Sequence, residues 1–319
     1  MTIKVKCPEK GPGWYYRLSR FFREHFGGPV YKIPLDAGFS CPNRDGTIGR
    51  GGCSYCYNPS FSPHSGAPGR IPLEEQLRRG KRKGKGARYL AYFQSYTNTY
   101  APLEELKTLY DRALAEPDVI GLSVATRPDC VPDAVLHLLE NYARKHHLWI
   151  EYGLQSAHDL TLERINRGHR FRHFADAVQR TRGRGIYICA HVILGLPGES
   201  REMMLQTMEA LNICGVDGVK FHHLQVIEHT PLAAQYRCGS LAVFKTAADY
   251  IALLCDCLER LSPGIVIHRL AAQVSAPGLL IAPIWPESAG QIAAAVEREL
   301  KRRGTCQGHA VKDKHACFD

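Results

Sequence analysis

No apolar stretch in this 319-residue sequence reaches the roughly 20 residues that a membrane-spanning helix needs. An integral membrane protein is therefore not expected. The opening segment, MTIKVKCPEKGPGW, lacks the apolar core of a secretory signal. A cytoplasmic protein with no membrane partner is the expectation. Long Pro/Ser linkers and internal repeats are also absent, which argues against a string of separate modules. Acidic residues are scarce at the start. Residues 1–90 hold 17 Lys and Arg against 6 Asp and Glu, and the remainder, 24 against 25, is nearly neutral.

What is present fits a globular enzyme. Hydrophobic residues make up 45% and charged residues 23%, ordinary values for a folded chain. The length allows a large core and suits one α/β barrel. The formal net charge of +10 therefore belongs to the N-terminal part. Its densest piece is Arg78, Arg79, Lys81, Arg82, Lys83, Lys85 and Arg88, which either contacts phosphates or forms a solvated helix end. The twelve cysteines read as thiols or metal ligands in a reducing compartment. Cys130, Cys189, Cys214 and Cys238 sit singly in apolar surroundings and read as small core residues. Cys255 and Cys257 are two apart on an expected helix and point to different faces.

Short runs rich in β-branched residues alternate with helical stretches. The expected strands are Val30–Leu35, Arg88–Gln94, Val119–Ala125, Leu148–Leu154, Ile186–Leu194 and Val216–Leu224. The helices between them include Leu103–Ala115, Pro132–His146, Phe171–Gly183 and Glu202–Cys214. This alternation implies parallel strands with right-handed crossovers. Six units are too few for a closed eight-stranded barrel and suit an open (βα)6 partial TIM-type barrel, with its chemistry at the C-terminal strand ends. Three regions follow: a basic and aromatic lead-in over 1–29, the barrel over 30–235, and a closing extension over 236–319. The extension contains an apolar helix (Phe244–Leu261), a last strand (Ile265–Leu270) and a basic helix (Ser288–Arg303). In the lead-in, Trp14, Leu18, Phe21, Phe22, His25 and Phe26 lie on one helical face.

The chemistry centres on DAGFSCPNRDGTIGRGGCSYCYNP, residues 36–59, directly after the first expected strand. Cys41 is followed after eleven residues by Cys53, and after two more by Cys56. The C-x2-C pair brings two sulfurs to one centre, and Gly46, Gly49, Gly51 and Gly52 let the loop fold back so that Cys41 joins them. Three thiolates rather than four is the informative count. Structural zinc and electron-transfer clusters usually take four protein ligands. A 4Fe–4S cluster on three cysteines leaves one iron open for the amino and carboxylate groups of S-adenosylmethionine (SAM). One electron from the cluster then releases a 5′-deoxyadenosyl radical, chemistry that belongs to the cofactor. Tyr55 is placed to pack on the adenine or simply in the core. The competing reading is zinc, with His64 or Cys7 as a fourth ligand. The position of the loop after the first βα strand favours the cluster.

These residues resemble the radical SAM superfamily, and more narrowly the YhcC/YtqA family, whose members carry GFxCPNRDGTxGxGGCxYC. Gly38–Cys56 matches that pattern throughout. The likeness extends from WYYRLSRFFREHFGGPVYKIPLD through ATRPDCVPD (125–133), EYGLQSAHDLTLERINRGH (151–169) and HVILGLPGES (191–200), covering most of 14–235. The later segments also resemble the radical SAM domain of the elongator catalytic subunit, which modifies tRNA wobble uridine. An acetyltransferase domain is not expected to follow, since the sequence stops at Asp319.

The resemblance implies an electron donor of the flavodoxin or ferredoxin type and a set of SAM contacts. Gln94 and Ser95 would offer a backbone edge to the amino group. Glu151 and Gln155 would face the ribose and carboxylate. Arg167 would pair with the carboxylate, a task suited to its bidentate fork. Gly195 would lie beside the adenine. The alternative for Glu151 and Arg167 is a helix–strand ion pair. Where the related coproporphyrinogen oxidase has a glutamate on the third strand, this sequence has Ala125 and then Thr126. Where it has an aspartate on the fifth, this sequence has His191. A porphyrin-type site is therefore not expected, and Thr126 and His191 remain candidate cofactor contacts.

The strand ends offer Tyr96, Asn98, Arg127, Asp129, His222, His223 and Gln225 as substrate-facing candidates. Adjacent strand residues face opposite ways, which argues against a shared metal on His222 and His223. Three functions stay open: a radical SAM enzyme acting on RNA such as tRNA, the same chemistry on a small molecule, and a zinc-bound RNA-binding module without catalysis.

Overall fold

The structure, a computed structural model, describes residues 13–62, 71–81 and 86–311. Cys7, His64, Arg82, Lys83 and Lys85 lie outside the described residues. Seven parallel strands form one curled sheet: β1 (Val30–Leu35), β2 (Arg88–Phe93), β3 (Val119–Thr126), β4 (His147–Gln155), β5 (Tyr187–Leu194), β6 (Gly218–His223) and, beside β6, β8 (Val266–Arg269). A two-stranded antiparallel pair, β7 (Val226–Ile227) and β9 (Leu280–Ala282), lies outside it. The expected open partial barrel is what the chain forms. Its seventh strand comes from the segment read as the last strand of the closing extension.

The helices are α1 (Leu18–Phe26), α2 (Leu73–Gly80), α3 (Leu103–Leu114), α4 (Asp133–Ala143), α5 (Asp159–Arg164), α6 (Phe171–Thr181), α7 (Arg201–Cys214), α8 (Pro231–Arg237), α9 (Ala247–Arg260) and α10 (Ala289–Arg303). Their ends follow capping chemistry. The Ser200 hydroxyl accepts from the Met203 N–H at the start of α7, which stops at Gly215 in the left-handed region. Reciprocal capping boxes open α9 (Thr246, Asp249) and α10 (Ser288, Gln291). The short α2, α5 and α8 carried too little periodicity to be expected from the sequence.

Alternation along the strands sorts the two faces of the sheet. On β4, Leu148, Ile150, Tyr152 and Leu154 are buried in the main core cluster with the helices. Trp149 instead joins Phe21, Phe22, Val30, Leu90, Cys189 and Val266 in a cluster at the N-terminal end of the barrel. Helix α1 packs on both edge strands, β1 and β8. Its Phe21 ring lies 5.5 Å from that of Trp149 and 5.3 Å from that of Tyr187. Phe21 and Phe22 of the lead-in thus plug one end of the barrel. No described helix is long and apolar enough to cross a membrane.

The described part of the basic run is largely engaged. Arg78 and Arg79 both pair with Glu75, Lys81 reaches Glu116 and the Pro117 carbonyl, and Arg88 donates to the Phe26 carbonyl. Of the lone cysteines, Cys130 and Cys189 are buried, Cys214 is partly buried and Cys238 is exposed, contrary to its reading as a core residue. Cys238 follows α8 at its exposed end, where its thiol donates to the Gln235 carbonyl.

Candidate active site at the mouth of the barrel

The cysteine loop folds around Asn43. Cys41 O accepts from the N–H groups of Arg44 and Asp45, at 2.8 and 3.1 Å, and Asn43 O accepts from Gly52 N at 2.8 Å. The Asn43 amide donates to Asn166 O at 2.6 Å and to the Cys53 sulfur at 3.6 Å. Gly49 and Gly52 make this possible. A Cβ at Gly49 would stand 2.5 Å from Asn43 Oδ1, and Gly52 adopts φ +86 against the Arg44 side chain. Ser54 N donates to Ile165 O at 2.9 Å, tying the loop to the segment after β4.

Cys41, Cys53 and Cys56 are not in disulfides and line one cleft at the C-terminal ends of the strands, with about 1230 Å³ of empty space including its open mouth. Arg167 reaches over the loop. Its Nη1 donates to the Cys53 sulfur at 3.4 Å, and its Nε and Nη2 donate to Gly153 O at 3.2 and 2.7 Å. Burial would raise the Cys53 thiol, but Arg167 outweighs it and holds the thiol below its ordinary value. Burial and the neighbouring Cys53 charge push Cys56 up to about 11. Arg127 braces Arg167 by donating to its carbonyl at 2.9 Å while paired through two hydrogen bonds with Asp129.

Of the residues singled out in the sequence, Tyr55, Gln94, Thr126, Glu151, Gln155, Arg167 and His191 line the cleft, as do Tyr96, Arg127, His222, His223 and Gln225. Ser95 and Gly195 do not. Ser95 is buried with its hydroxyl on Ser62, and Gly195 faces Phe244, whose ring a Cβ would meet at 2.7 Å. Asn98 and Asp129 also lie off the cleft. Asn98 donates to Ala125 O, and Asp129 positions Arg127. Gln155 and Tyr96 hold positive φ values of +80 and +62 at strand ends, a costly conformation that recurs at functional sites.

The cleft floor holds a network that sequence reading missed. Glu151 is fully buried on β4. Its Oε1 accepts from Lys32 and Ser123, and its Oε2 accepts from His191 and, at 3.1 Å, from Lys220. A carboxylate only accepts, so His191 carries its proton on Nε2. Burial would raise Glu151, yet Lys220 and Lys32 outweigh it and hold the carboxyl well below its usual range. With both oxygens engaged, Glu151 organises the barrel interior. It is also not paired with Arg167. The available signal was period two: Glu151, Gly153 and Gln155 on β4, Lys220 and His222 on β6, and Cys189, His191 and Ile193 on β5 fall on one face.

Glu151, Cys189 and His268 bring donor atoms within 4.8 Å of one another. Two ammonium groups already occupy Glu151, and burial keeps the Cys189 thiol well above its ordinary value, so this trio does not suit a metal cation. The three loop cysteines instead line the cleft from one loop, and Arg167 on the Cys53 sulfur favours its thiolate. Cys41, Cys53 and Cys56 are the only cysteines among the described residues lining the cleft, a donor set that fits an iron–sulfur cluster with one iron left open.

The radical SAM superfamily model matches residues 45–211, and the radical SAM C-terminal domain model matches 216–302. YtqA of Bacillus subtilis is 40% identical over 297 residues, which cover 92% of each chain. The chain belongs to the radical SAM superfamily. As a radical SAM protein it uses a 4Fe–4S cluster and SAM, and it is an enzyme. A tRNA uridine(34) acetyltransferase of Dehalococcoides mccartyi is 28% identical over 178 residues, 54% of this chain and 37% of that protein. The solved archaeal Elp3 of Methanocaldococcus infernus, lacking its N-terminus, superposes with a TM-score of 0.65 at 15% identity, covering 87% of this chain and 64% of that one. At that identity the likeness is one of fold.

Proposed function

We propose that this enzyme reductively cleaves SAM at a 4Fe–4S cluster held by Cys41, Cys53 and Cys56. The observation that carries the proposal is the gathering of these three cysteines, with Arg167 on the Cys53 sulfur, at the mouth of a radical SAM barrel. When bound, the cluster and SAM supply a 5′-deoxyadenosyl radical for hydrogen abstraction. The protein's own part is positional. Asn43 and Arg167 donate to the Cys53 sulfur and stabilise its thiolate, the form that ligates iron. Tyr55, Gln94, Thr126 and Gln155 line the space beside the loop and would orient the cosubstrate. A one-electron donor of the flavodoxin or ferredoxin class would reach the cluster through the loop's partly exposed Cys41 side.

The finer reading is modification of RNA, with tRNA favoured by the similarity to a protein named as a tRNA uridine(34) acetyltransferase. The same chemistry on a small molecule is the second reading, favoured by the engagement of Arg78, Arg79 and Lys81 in ion pairs. Anaerobic reconstitution with iron and sulfide tests the chemistry. About four irons and four acid-labile sulfides per chain are expected, with SAM cleaved on reduction. Stoichiometric zinc without sulfide would contradict it. Comparison of modified nucleosides in a deletion strain and its parent then separates the substrates: a missing nucleoside supports RNA, and unchanged profiles reject it.

A further inference from the structure

We propose that Arg269, Lys220 and His222 at the floor of the cleft bind an anionic group of the substrate, a phosphate or a carboxylate. The proposal rests on the radical SAM reading for the word substrate, but the anion site stands on its own geometry.

Charge balance is the first argument. Lys32, Lys220 and Arg269 project into the barrel interior, and Glu151 is the one acidic residue among those lining the cleft. Burial and the nearby cations keep His191 and His222 well below their ordinary values, so neither ring adds charge. Three cations thus face one carboxylate. Buried charge is costly unless paired, and a purely structural network would be expected to contain a second acid.

Hydrogen-bond capacity is the second argument. Glu151 spends its oxygens on Lys32, Ser123, His191 and Lys220. Arg269 is left with no ion pair among the described residues. Its Nη2 donates to the His222 ring at 2.8 Å, and its Nε is buried with no hydrogen-bond partner. Lys220 lies 2.5 Å from the Tyr92 hydroxyl and keeps part of its donor capacity. Burial and the neighbouring Arg269 pull its amine down to about 8 against the opposing pull of Glu151, the mark of a site short of negative charge.

Chemistry and place agree. A guanidinium fork beside a compact ammonium is the pairing that recognises a phosphate or carboxylate. The loop with the three cysteines lines the same cleft from its rim. A substrate anchored at the floor would therefore extend back towards the place where SAM is cleaved. Arg44, Arg127 and Arg167 also line the cleft, but each is already used, on the Cys56 carbonyl, on Asp129 and on the Cys53 sulfur.

Anaerobic calorimetry on the reconstituted holoenzyme tests this, with inorganic phosphate and acetate as separate probes, each with and without saturating SAM. One anion per chain should bind, and binding should persist with SAM present. Arg269→Gln should weaken it at least about tenfold, the loss expected for one charge-assisted hydrogen bond, while Arg269→Lys retains part and the surface variant Arg302→Gln changes nothing. Preference for phosphate or for acetate identifies the group, and either supports the site. Absence of binding in the wild type overturns the proposal, as does complete displacement by SAM, which would make the anion SAM's own carboxylate. Equal affinity in a folded Arg269→Gln protein overturns it too. Should Arg269→Gln fail to fold, the wild-type titration and Arg269→Lys decide. Anion binding without SAM cleavage would reject the radical SAM reading and leave the site standing.

Discussion

The two ends of the barrel use the same strands for opposite purposes. At the N-terminal end, Phe21 and Phe22 of α1 close the interior against Trp149, Leu90 and Val266, with His25 and His147 packed on their rings. At the C-terminal end the inner face turns polar: Trp149 gives way to Glu151, Gly153 and Gln155 on β4, and Gly218 gives way to Lys220 and His222 on β6. Two residues of rise along each strand separate a packed core from an ionic floor. Apolar closure at one end, reinforced by the helix layer, supplies the stability that an unbalanced interior gives up.

The largest effect should come from Glu151, where the floor can be broken. Glu151→Ala leaves Lys32 and Lys220 without their carboxylate and should cost ~3–5 kcal/mol in denaturant unfolding. A loss below about 1 kcal/mol would mean the network is not organised around this residue. Adding Lys220→Met to Glu151→Ala should recover part of the loss by removing one orphaned charge.

At the plugged end, Phe21→Ala should cost about 3 kcal/mol through cavity formation, since the ring is buried among aromatics. The folded fraction should still take up iron and sulfide, because this end is remote from the loop. Loss of cluster uptake in folded protein would show that the two ends are coupled.

A smaller signature lies in pH. The Lys220 amine, facing Glu151, Lys32, Tyr92, His191 and Arg269, is held near 8 against an ordinary 10.5. Between these values the unfolded chain binds more protons than the folded one, so stability contributed by this site rises as pH climbs from 8 to 10.5. Below 8 the burden is fully present. Lys220→Met should flatten that rise, while probe-anion binding by the wild type should weaken above pH 8. Least of all should follow from Arg78→Gln, whose solvent-screened pair with Glu75 should leave the denaturant midpoint unchanged.

The parallel barrel was legible because buried strands write themselves as apolar runs and the helices between them as amphipathic repeats. The start and end of β1 and the core of every other strand of the main sheet fell where the runs placed them. The cysteine loop was legible because its ligands and turn glycines are local in sequence. The ionic floor was not. Lys32, Ser123, Glu151, His191, Lys220 and Arg269 come from six strands, and each strand gives only one of them. A lone lysine in VYKIPL or GVKFHH reveals its partners only when register aligns the strands. Gly195 shows the same limit: that its missing side chain admits the Phe244 ring is visible only once the strands are assembled.

The most direct test of the central claim is SAM cleavage by the reduced, reconstituted protein, comparing the wild type with Cys53→Ala. The account predicts 5′-deoxyadenosine from the wild type and none above background from the variant, together with loss of the cluster's visible absorbance. Undiminished 5′-deoxyadenosine from Cys53→Ala would contradict the assignment of Cys41, Cys53 and Cys56 as the cluster's ligands.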